Sequence, residues 1–81
     1  MPTCYLLTVS RLSAAEKPMC FVSVAETEAD AVANVVEGYR DFLGREQRPF
    51  VSGSLLPDAA RRLAIPIDRS GHVSCASAYI G

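Results

Sequence analysis

From Thr27 to Gly44 the chain reads TEADAVANVVEGYRDFLG, and its apolar side chains return every three or four residues. That spacing puts Val32, Val35, Val36, Tyr39, Phe42 and Leu43 on one face of a long amphipathic helix. Thr27 is the natural N-cap, because its hydroxyl accepts a bond from a first-turn N–H. Asp30 follows three residues on, a shortened capping box. Glu26, Glu28 and Asp30 favour the positive end of the helix dipole, and Arg40 and Arg45 the negative end. Gly44 suits the left-handed residue that ends a helix. Ala29 and Ala33 extend the apolar face where a sheet must approach closely. Gly38 costs about 1 kcal/mol relative to Ala inside a helix, and close packing is its natural explanation. The valines lower intrinsic propensity, so a sheet must supply the stability.

Elsewhere the period falls to two. Residues 3–10, TCYLLTVS, put Tyr5, Leu7 and Val9 on one face and Cys4, Leu6 and Thr8 on the other. Both faces are fairly apolar, as in a strand covered on both sides. Residues 18–25, PMCFVSVA, form a second strand, and the short polar link between them predicts an antiparallel hairpin. Residues 49–54, PFVSGS, read as a short third strand or an extended loop. Residues 55–64, LLPDAARRLA, read as a short helix, with Pro57 and Asp58 in its first turn and Arg61 and Arg62 toward its end. Leu63 and Ile65 tether it to the core. Residues 65–68 and 72–80 predict a closing hairpin with Gly71 in its turn. The order is β-β-α-(β)-α-β-β. It implies an α+β fold, with a small antiparallel sheet of three to five strands under the long helix and the other face partly open.

The 81 residues make a single domain, 1–81, with a modest core. They are 49% hydrophobic with a net charge of −1, a globular composition rather than a disordered one. Near-neutrality also argues against non-specific nucleic-acid binding, which needs a basic excess. The charge is unevenly divided, however. Residues 1–39 hold Glu16, Glu26, Glu28, Asp30 and Glu37 against Arg11 and Lys17. Residues 40–81 hold Arg40, Arg45, Arg48, Arg61, Arg62 and Arg69 against Asp41, Glu46, Asp58 and Asp68. Such a split gives two differently charged faces, or complementary faces in a dimer. No run approaches the roughly 20 apolar residues of a membrane span, and the start lacks a signal-peptide pattern. Cys4, Cys20 and Cys75 are odd in number and widely spaced, the pattern of free thiols in a reducing cytoplasm.

Motifs that carry chemistry are few. Asp68, Ser70, His72 and Cys75 contain the residue types of a nucleophile, a base and an orienting acid. Strand alternation sends His72 and Cys75 to opposite faces, which favours a solvated histidine and a packed thiol. Cys4, Cys20, Cys75 and His72 match structural zinc in count and type but not in spacing, so no metal or other cofactor is expected. Ser52-Gly53-Ser54 is too short for a phosphate cradle. The remaining set is basic. Arg45, Arg48, Arg61, Arg62 and Arg69, if they converge, bind an acidic partner.

The segment TEADAVANVVEGYRDFL resembles the helix of HicB-type antitoxins at Thr27, Ala31, Ala33, Asn34, Glu37 and Leu43. The resemblance covers that helix alone, and no function is carried over from it. The leading expectation is a non-enzymatic interaction module, an antitoxin-like or adaptor-like regulator or inhibitor. It would dock on another protein through its basic half or an exposed sheet edge. Short sheet edges also predict a homodimer. The alternative is a dimeric small-molecule binder or small enzyme, with a pocket between helix and sheet near Tyr39, His72 and Cys75.

Overall fold

In a computed structural model, which describes residues 2–9, 19–43 and 48–76, the first strand is central. This strand, β1 (Thr3–Val9), pairs antiparallel with β2 (Met19–Ala25) on one side and with β3 (Pro49–Leu55) on the other. A short β4 (Val73–Cys75) adds to the far edge of β2, giving the order β3-β1-β2-β4. The helices are α1 (Glu28–Gly38), the four-residue α2 (Arg40–Leu43) and α3 (Pro57–Arg62). The result is an α+β fold on a four-stranded antiparallel sheet, and PFVSGS is a full member of it.

Alternation along β1 builds two cores. Leu7 and Val9, with Phe21, Ala25, Ala31, Val35 and Leu43, fill the face under α1. Phe21 and Tyr39 meet there with ring centroids 4.6 Å apart and planes tilted by 51°. On the opposite face Cys4, Val22 and Val24 pack against Ala60 of α3 and against Ile65 and Ala76. That face is therefore covered at the Cys4 end by α3 and the turn after it, while Cys20 and Phe50 at the other end stay exposed.

The long helix starts as its sequence predicts. Thr27 Oγ1 accepts from the Asp30 N–H at 3.1 Å. It does not run unbroken to Gly44. It breaks at Tyr39, whose backbone leaves the helical region at φ −125° and ψ 29°, and resumes as α2. Gly38 is not there for close packing, because a Cβ placed on it meets nothing within 4 Å. Nor are Ala29 and Ala33 the close-approach residues. Both are exposed, and the small buried side chain is Ala31. The Ser23 hydroxyl on β2 donates to the Ala31 carbonyl at 3.0 Å and joins helix to sheet.

The closing hairpin is also corrected. Residues 65–68 form turns rather than a strand, closed by Ile67 N–H to the Ile65 carbonyl at 2.9 Å and Arg69 N–H to the Pro66 carbonyl at 3.0 Å. Two isoleucines spaced two apart mimic a strand, but Pro66 lies between them and their backbone bonds stay local. Gly71 and His72 instead bond Val24 on β2, and Gly71 does so at φ +100°. The expected strand residues 77–80, Gly44 and the link 10–18 lie outside the described residues.

Candidate interaction site

One end of the sheet gathers Arg61, Arg62 and Arg69 of the sequence-predicted basic set. The start of β1 and the ends of β2 and β3 lie side by side there, through Thr3↔Ala25 and Cys4↔Leu55. From this end α1 departs over one face and α3 over the other. Leu55 turns inward to the core, so alternation drives Leu56 out, and it is 76% exposed. Pro57 opens α3 at the position where a missing N–H does no harm.

The far end of α3 closes as a Schellman motif. Ile65 N–H bonds the Ala60 carbonyl and Ala64 N–H bonds the Arg61 carbonyl, both at 3.0 Å. Ala64 holds the left-handed position at φ 60°. This turn folds Ile65 back onto the sheet and leaves a groove of about 520 Å³, floored by Pro2, Pro57, Ile65, Pro66 and Ile67. Arg61 and Asp68 line it too.

Of the basic set, Arg61, Arg62 and Arg69 share this region, and all three are exposed. Arg61 pairs with Asp58 at 3.2 Å on the surface, a contact worth well under 1 kcal/mol. Arg48 does not join them. It precedes β3, and seven strand residues at about 3.3 Å each put it about 23 Å from α3. Arg45 lies outside the described residues. The groove and Leu56 were missed by sequence reasoning. The readable signal was Leu55-Leu56-Pro57, where two adjacent leucines at a strand end cannot both face the core.

A second surface is the outer edge of β3. Among the described residues no strand covers it. None of its seven residues is charged, and Phe50 is 49% exposed. A bulge interrupts its pairing with β1 between Leu6 and Leu7, leaving Ser52 as the extra residue. Ser52 Oγ turns inward, donating to the Leu6 carbonyl at 3.2 Å and accepting from Thr8 Oγ1 at 3.0 Å.

Tyr39, His72 and Cys75 are not brought into one pocket. Cys75 lies opposite Phe21, on the α1 side with Tyr39. His72 precedes β4 by one residue, in phase with Ser74 on the α3 side, where its Nε2 is 3.3 Å from Ser74 Oγ. Cys75 Sγ sits 3.8 Å from the Cys20 carbonyl. Cys4 and Cys20 share a face but stand four residues apart in register, about 13 Å. Cys4, Cys20 and Cys75 form no disulfide, and burial pushes the Cys4 thiol up from its ordinary value. Among the described residues no three His, Cys, Asp or Glu side chains cluster as a metal site would need, and no helix is long and apolar enough to cross a membrane. No family model, curated protein or solved structure matches the chain.

Proposed function

We propose that this chain is a non-enzymatic interaction module, a small cytoplasmic regulator or inhibitor that docks on another protein by accepting an extended segment along β3. The observation that carries this reading is the uncharged, seven-residue edge strand β3, which no strand covers among the described residues, with Phe50 half exposed on it. Main-chain hydrogen bonds along such an edge provide affinity, and side chains that alternate along it provide specificity. Pro49 and the Ser52 bulge interrupt the edge and limit the registers in which an unrelated strand pairs. Nothing comparable supports catalysis, because the titratable candidates are divided between the two faces of the sheet.

The test begins with capture from native-host extract and native mass spectrometry of the eluate, which identifies a stoichiometric partner. Amide hydrogen exchange on the complex then locates the contact. Exchange within residues 50–55 is expected to slow about tenfold or more on binding. Unchanged exchange there, with affinity lost instead on Arg61→Glu/Arg62→Glu, would transfer the docking role to the basic side.

A further inference from the structure

The groove beside Leu56 carries its own charge pattern. On the α1 side of the same sheet end, Glu28 and Asp30 are exposed, and residues 19–39 contain no Lys or Arg. On the α3 side stand Arg61, Arg62 and Arg69 against Asp58 and Asp68. Within one chain Arg61 and Arg62 of α3 cannot neutralise Glu28 and Asp30 of α1. The sheet lies between the two helices, about 10 Å from each, which separates these charges by more than twice the screening length of about 8 Å at physiological salt. A two-fold axis laid across the strand ends, in the plane of the sheet, removes that separation. It swaps the two faces, so the α1 side of one copy meets the α3 side of the other, twice. The interface is self-complementary, as a two-fold contact requires.

We propose that a second copy of this chain docks end to end on the groove floored by Pro57, Ile65, Pro66 and Ile67. Glu28 and Asp30 of each copy face Arg61, Arg62 and Arg69 of the other, and Leu56 is buried at the contact. A contact across a 25 × 18 Å section of the molecule covers about 450 Å² on each copy. The dimer is therefore weak and exchanging, and salt weakens it. Both β3 edges remain open in it, so this inference stands apart from the proposed partner site.

Sedimentation velocity over a concentration series, at low and at moderate salt, reads the association directly. The wild-type chain is expected to dimerise at low salt and to weaken about tenfold as salt screens the pairs. Glu28→Lys/Asp30→Lys and Arg61→Glu/Arg62→Glu are each expected to be monomeric, since like charges then meet at both contacts. Mixing the two variants is expected to restore association as a heterodimer, because both contacts become attractive again. Leu56→Asp, at a side chain already exposed, loses the dimer without touching the core. A wild-type chain that stays monomeric throughout would overturn the proposal. So would a dimer indifferent to the reversals, or folded variants, checked by circular dichroism, that fail to associate when mixed.

Discussion

Ala64 holds a left-handed backbone at φ 60°, while Gly38 has no positive φ and open space where a side chain would go. The two residues would serve better exchanged. A left-handed conformation costs a non-glycine residue about 1–2 kcal/mol, partly offset by the greater freedom glycine has when unfolded. Ala64→Gly is therefore expected to stabilise the domain by about 0.5–1 kcal/mol. Gly38→Ala, at the last residue of α1, is expected to add about 0.5 kcal/mol through helix propensity. Gly71→Ala, at φ +100°, should move the other way by about 1 kcal/mol or more. In a chain of this size 1 kcal/mol moves Tm by about 4–8 °C, so thermal melts resolve all three signs. Destabilisation by Ala64→Gly would mean that the methyl group contributes more than the backbone strain costs.

At the scale of the element, α1 is fixed to the sheet at its first turn. Thr27 caps it, the Ala31 N–H bonds the Thr27 carbonyl at 3.0 Å, and the buried Ser23 hydroxyl bonds the Ala31 carbonyl. Thr27→Ala and Ser23→Ala are each expected to cost about 1 kcal/mol in chemical denaturation. The double variant should depart from additivity by about 0.5 kcal/mol, since both act on one turn. Strict additivity would show the two anchors to be independent. Thr27 was legible in the sequence because a cap is a local chemical signal, and so were β1 and β2, whose alternation runs over seven residues each. Ser23 was not legible as an anchor, because a serine on an apolar strand gives no sign of what it meets. The same limit explains Ile65 and Ile67. Their spacing marks a core-facing pair, and only the contacts decide between a strand and a turn. Arg61, Arg62 and Arg69 fall together because they are neighbours in sequence, whereas the distance to Arg48 depends on where β3 lies in the sheet.

At the scale of the whole molecule, one sheet serves as the shared wall of two cores, and Cys4 reports on the smaller. It is 2% exposed on the face under α3, and burial raises its pKa above the ordinary 9.0. The sign follows from proton binding. Above about pH 9 the unfolded chain releases this proton while the folded chain keeps it, so the folded state holds more protons there. The stabilisation is fully present below the unfolded pKa and is lost as pH rises through the folded one. Urea midpoints should therefore fall between pH 8 and pH 10, and Cys4→Ala should remove the part of that fall that the buried thiol causes. The same thiol reports global opening. Cys20 is exposed and should react with a thiol reagent within the mixing time scale of a free thiol, whereas Cys4 should react only as fast as the domain unfolds. Equal rates for the two in native buffer would mean that the α3 face opens on its own. The two cores would then be separate cooperative units divided by the sheet they share.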